Sequence, residues 1–242
     1  MTWPELPPPY DAALREAVDF VLARFEVWGV VAAGSILAGD ADPRSDLDIY
    51  VIHARPQRRR IQRRFAGVAA EIFVNPPHQV RRYFDEEVTR PCTAHMLANG
   101  VAVVNRHPVV DELIAEARRR LATPPNLNET QLTLRRYLAA DALENAQDVV
   151  DRDPANADLF LHETVRAMLE YVFLAANRPL PRFKRFLAAL DKFDPDLGDL
   201  ARQYYSAADT ATRLALATQI ATRTIGETGF FEWESPIEEI PA

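Results

Sequence analysis

The sequence predicts an α+β unit followed by an all-helical one, on three observations. Up to residue 123, short apolar runs suited to strands alternate with stretches of helical spacing. The segment ATPPNLN, residues 122–128, then breaks the pattern with two adjacent prolines. Beyond it every apolar pattern has helical period. The expected domains are therefore 1–123 and 124–242.

The elements follow in order. After a proline-rich lead-in, Asp11–Phe25 places Leu14, Val18, Val21, Leu22 and Phe25 along one helix face. Val27–Ala33 is a short apolar run, read as a buried strand that ends at Gly34-Ser35. Ala38–Ser45 holds the turn formers Gly39, Asp40, Asp42 and Pro43, and Asp46–His53 is the second strand. Arg59–Phe65 and Val68–Asn75 flank Ala66-Gly67 as the arms of a hairpin, although RRRIQRR has an equal claim to be helix. Short helices around His78–Glu87 and Thr93–Asn99 precede a strand, Val101–Asn105, and a helix, Pro108–Leu121. In the second half Asn128 is an N-cap for a helix running to Val150. Ala157–Asn177, Arg182–Phe193, Asp196–Ala207 and Asp209–Ile225 complete five helices with short connections, a bundle pattern. The tail GFFEWESPIEEIPA is expected to dock through Phe230, Phe231 and Trp233.

Composition narrows the function. No apolar run approaches the roughly 18 residues of a membrane span, and MTWPELPPPY lacks the basic-then-apolar layout of a signal peptide, so a cytoplasmic protein is expected. The single cysteine, Cys92, forms no internal disulfide, and no Cys/His spacing matches a zinc site. Residues 1–123 carry 16 Lys+Arg against 16 Asp+Glu, whereas residues 124–242 carry 12 against 19 and hold the entire net charge of −7. An acidic half is a poor partner for a phosphate backbone, so nucleic acid is not the expected substrate.

Two carboxylates, Asp46 and Asp48, stand one residue apart in an otherwise apolar strand. On a strand, residues i and i+2 share a face, so the two acids sit side by side opposite Leu47, Ile49 and Val51. Adjacent anions coexist when something positive neutralises them, and a divalent cation is the candidate. Gly34-Ser35 follows a strand, ten residues separate Ser35 from Asp46, and a third acid, Glu71, opens the run EIFV on a neighbouring strand. The arginines at 58, 59, 60, 63 and 64 are read as a solvated face, and so is the line of His162, Arg166 and Glu170, with Glu163 as ion-pair partner.

This order resembles the nucleotidyltransferase fold of the polymerase-beta superfamily, a small mixed sheet with flanking helices, over about residues 11–123. The resemblance implies that Gly34 lets backbone approach nucleotide phosphates, to which the Ser35 hydroxyl and the following amides donate. It implies Asp46 and Asp48 as hard oxygen ligands for Mg²⁺, two ions being expected, with Glu71 as third metal ligand or general base. Ser45 and Lys184 are further candidates to touch the triphosphate. A catalytic domain followed by helices is similar to the kanamycin- and streptomycin-type adenylyltransferases, in which the helical domain closes the cleft and holds the acceptor. The implied reaction is transfer of a nucleoside monophosphate, AMP from ATP, to a hydroxyl of a small molecule with release of pyrophosphate. Two other readings use the same residues: an antitoxin-like nucleotidyltransferase that adenylylates a toxin-like protein partner, and a non-catalytic nucleotide-binding module.

Overall fold

The computed structural model describes residues 1–237. The chain divides into two compact units, one of residues 1–123 and one from Pro124 onward. Among the described residues no helix is long and apolar enough to cross a membrane.

The first unit is a five-stranded mixed sheet with helices on both faces. Its strands are β1 (Val27–Ala33), β2 (Leu47–His53), β3 (Arg59–Phe65), β4 (Val68–Asn75) and β5 (Val101–Asn105), in spatial order β3-β4-β2-β1-β5. Only β2 and β4 run parallel. The arm RRRIQRR is strand from Arg59 onward, because residues 59 to 64 pair with β4. The Ala66-Gly67 turn closes that hairpin with both residues at positive φ, 44° and 84°, the conformation whose twist matches two flanking strands.

Strand alternation sorts the core into two layers. Val30, Ala32, Leu47, Ile49, Val51, Ile72 and Val74 pack with α1 (Pro8–Leu22) through Leu14, Val18 and Val21. On the opposite face Val31, Tyr50 and Ile52 pack with α2 (Pro77–Glu86), α3 (Cys92–Asn99) and α4 (Pro108–Ala122). Central strands buried on both faces explain why β1 and β2 read as unbroken apolar runs.

The second unit contains α5 (Glu129–Val149), α6 (Pro154–Ala175), α7 (Phe186–Phe193), α8 (Pro195–Ser206) and α9 (Thr210–Thr224), with a 3₁₀ turn at Phe183–Arg185. Leu143, Leu161, Val165, Met168, Leu190, Tyr204 and Ile220 lie in its core. Asn128 caps α5 through a reciprocal box with Gln131. Two helices begin earlier than expected, at Pro154 and Pro195 rather than Ala157 and Asp196. Proline at the first helical position loses no hydrogen bond, and Asp153 and Asp194 supply the caps. The tail docks on α5 through Phe231 and Trp233, whose rings lie 6.4 and 5.2 Å from Tyr137. Phe230 does not dock and is 74% exposed; residues 238–242 of the tail lie outside the described residues.

Candidate functional site

The pairing of β2 fixes the site. Its parallel register with β4 sets Asp48 opposite Glu71, and its antiparallel register with β1 sets Asp48 opposite Ala33, the last residue before Gly34. Alternation places Asp48 and Glu71 on the face that carries Tyr50 and Phe73. The strand begins at Leu47 and not at Asp46. Asp46 therefore stands one residue outside the ladder, and its direction is not dictated by strand alternation.

The turn after β1 is built around Asp48. Gly34 has φ +91°, and a Cβ placed on it would stand 2.5 Å from Oδ2 of Asp48. Any larger residue would displace that carboxylate. The Ala38 amide donates to the Gly34 carbonyl at 3.2 Å and the Asp40 amide to the Ser35 carbonyl at 2.9 Å, so the chain leaves the strand in a helical turn. The leading amides of such a turn, at Ile36 and Leu37, have no acceptor within the turn and are suited to an anion.

Ser35 and Ser45, ten residues apart, meet here: the Ser35 hydroxyl donates to Oγ of Ser45 at 3.0 Å. That oxygen also accepts the Asp42 amide at 2.8 Å, and Ser45 is only 7% exposed. Ser45 thus closes the loop on itself. Lys184 belongs to the second unit and is exposed on the 3₁₀ turn.

Glu71 is gripped from the edge strand. Arg60, through Nε and Nη2, and Gln62, through Nε2 at 2.9 Å, all engage one oxygen, Oε1. The Arg60 guanidinium also lies 5.0 Å over the Phe73 ring. Reading the arginines of β3 as a solvated face overlooked this contact. The signal was available, since a two-residue turn at 66–67 forces residue 62 opposite residue 71.

Behind the acids the same face is sealed by buried polar bonds. Asn75 donates to the Tyr50 hydroxyl at 3.1 Å, and burial pushes that phenol's pKa up. Glu87 accepts the Thr93 amide at 2.6 Å and its hydroxyl at 3.0 Å; burial nonetheless raises its carboxyl above the ordinary range. These bonds join the end of α2 to the start of α3. In the second unit the surface reading of α6 holds for Arg166, which pairs with Glu163 at 3.0 Å and Glu170 at 3.4 Å. His162, also exposed, meets the Tyr204 hydroxyl through Nδ1 at 2.9 Å.

The donor set fits a magnesium ion held by two carboxylates. Mg²⁺ takes one or two protein carboxylates and fills its octahedron with phosphate oxygens and water. Asp46 and Asp48 are donors of that type, and the missing Cβ of Gly34 lets Oδ2 of Asp48 lie against the turn. Among the described residues no three His, Cys, Asp or Glu side chains are grouped so as to hold a metal ion.

Residues 14–96 match the family described as "Nucleotidyltransferase domain". The first unit has the nucleotidyltransferase fold. The match spans β1, the Gly34-Ser35 turn, β2, the β3–β4 hairpin, α2 and part of α3. Among solved structures, a nucleotidyltransferase-like protein from Exiguobacterium sibiricum 255-15 is similar, with 18% identity and a TM-score of 0.53 over 88% of this chain and 73% of that one. That likeness is one of fold. It reaches past the first unit into the helices, since the first unit holds only residues 1–123. No curated protein matches the chain.

Proposed function

We propose that the protein transfers a nucleoside monophosphate, AMP from ATP, to a hydroxyl of a small molecule and releases pyrophosphate. The observation that carries this reading is the juxtaposition of Asp48 with Glu71 across β2 and β4, beside a glycine whose absent side chain makes room for the Asp48 carboxylate. Amides at the start of the Gly34-Ser35 turn receive phosphate oxygens, and the Ser35–Ser45 hydrogen bond keeps that turn in shape. Asp46 and Asp48 hold the cation against the triphosphate. A Mg²⁺ ion held by these carboxylates would supply positive charge against that developing on the phosphorus oxygens and the departing pyrophosphate.

Glu71 is assigned to the proton rather than to the cation, because one of its oxygens is already occupied by Arg60 and Gln62. The acceptor oxygen attacks the α-phosphorus, its proton passes to Glu71, and the bond from the α-phosphorus to the bridging oxygen breaks. The helical unit is assigned to the acceptor, in keeping with the layout of the kanamycin-type enzymes.

The test is a screen of the purified protein with each nucleoside triphosphate, Mg²⁺ and a panel of hydroxylated metabolites and aminoglycosides, read by pyrophosphate release. One acceptor class is expected to give turnover, and Asp48→Asn is expected to abolish it. Turnover that survives in Asp48→Asn removes this carboxylate from the reaction.

A further inference from the structure

Three donor contacts converge on Oε1 of Glu71, and all come from β3: Nε and Nη2 of Arg60 and Nε2 of Gln62. The convergence follows from register, since Gln62 lies opposite Glu71 and Arg60 opposite Phe73 on the same face. On its other side Glu71 lies opposite Asp48. A glutamate on a strand adjacent to an aspartate is within reach of any cation that the aspartate holds, about 5 Å away. Among the described residues, nevertheless, no three acids are grouped so as to hold a metal ion. A guanidinium on the carboxylate accounts for both facts, because Arg60 supplies the positive charge that a metal would otherwise supply.

We infer that Arg60, assisted by Gln62, is a positioning residue that holds Glu71 out of the metal-ligand set and so sets the affinity for free cation. The inference rests on the function proposed above, and it adds a competition between an arginine and a metal ion for one carboxylate. Removing Arg60 therefore admits Glu71 to the cation and deletes a positive charge from its surroundings. Both changes tighten binding.

The experiment uses Mn²⁺ alone, titrated into the full chain and followed by the electron paramagnetic resonance of the free ion. Arg60→Met is expected to bind Mn²⁺ about five- to tenfold more tightly than the native protein, in line with a unit charge removed at short range in a partly solvated site. Arg59→Met deletes the same charge from a neighbouring position on the other face of β3, and it is expected to change affinity less than about twofold. The gain in Arg60→Met is expected to vanish in Arg60→Met/Glu71→Gln, which identifies Glu71 as the group released. Arg60→Lys keeps the charge and loses the fork, and it is expected to fall between native and Met. Arg60 is exposed on an edge strand, and a urea midpoint for each variant checks that the fold is retained.

Native affinity in Arg60→Met overturns the inference, and so does a gain that persists in the double variant. Asp46→Asn separates this failure from that of the underlying reading. Loss of Mn²⁺ binding in Asp46→Asn together with native affinity in Arg60→Met removes only the arginine's role. Unchanged Mn²⁺ binding in Asp46→Asn removes the metal site and the inference with it.

Discussion

Gly34 serves two needs at once. A φ of +91° is open to glycine and strained for a residue with a Cβ, and the Cβ position is taken by Oδ2 of Asp48 at 2.5 Å. Gly39, five residues on, has a similar φ of +75° but nothing within 4 Å of its Cβ position. The pair separates strain from crowding. Gly34→Ala and Gly39→Ala are each expected to lower stability by about 1–2 kcal/mol through the left-handed backbone alone. Only Gly34→Ala is expected to weaken Mn²⁺ binding, because only there must the Asp48 carboxylate move. Urea unfolding and an Mn²⁺ titration of both variants check this, and equal Mn²⁺ affinities would show that the approach of Asp48 to Gly34 does not matter. Asp48 and Glu71 were conspicuous in the sequence because acids in apolar strands conflict with burial. Arg60 and Gln62 were not, because their meaning depends on the partner strand: an arginine on an edge looks the same whether it faces water or a carboxylate.

At the scale of elements, the β3–β4 hairpin carries its own inefficiency. Its turn needs positive φ at two successive positions, and the first is Ala66 at 44°. The Ala66 amide donates to Glu16 on α1 at 2.8 Å, which ties the strained turn to the body of the domain. Ala66→Asn restores the Asn-Gly pair that such turns favour and is expected to stabilise the protein by about 0.5–1 kcal/mol, measured as a raised urea midpoint with an unchanged slope. A lower midpoint would mean that the turn is held by contacts an asparagine disturbs. The same turn shows why β3 was the ambiguous element. RRRIQRR has helical composition, and only its pairing with β4, set by the turn, decides for strand. Elements with their own punctuation were read closely: β1, β4 and β5 have the expected limits, and α5 starts after the expected Asn128 cap. The starts of α6 and α8 lie earlier than expected because proline, behind a capping aspartate, opens a helix.

At the scale of the whole molecule, charge is divided between the two units. Residues 1–123 are neutral by count, and residues 124–242 hold 19 acids against 12 Lys+Arg. Many arginines of the second unit are already committed to acids: Arg213 to Asp158 at 2.6 Å, Arg202 to Asp191 at 2.5 Å, Arg223 to Asp194 at 2.9 Å and Arg166 to Glu163 at 3.0 Å. Pairing of this kind cancels charge locally and leaves the excess of acids as a net field of one sign. If the helical unit receives the acceptor, as proposed, that field favours a cationic molecule, and an amine-bearing hydroxylated compound such as an aminosugar is the expected class. The effect belongs to encounter and not to chemistry, so it is expected in kcat/KM and not in kcat. It is also expected to fade with salt, because exposed charges are screened beyond about 8–10 Å. The measurement compares acceptors of matched size that carry zero, one or two amines, each at 20 mM and 300 mM salt, concentrations chosen to take the screening length from about 20 Å to about 6 Å. The expected ranking follows amine count at low salt and narrows at high salt. A ranking indifferent to charge, with no change on adding salt, would leave the acids of the helical unit a role in solubility alone.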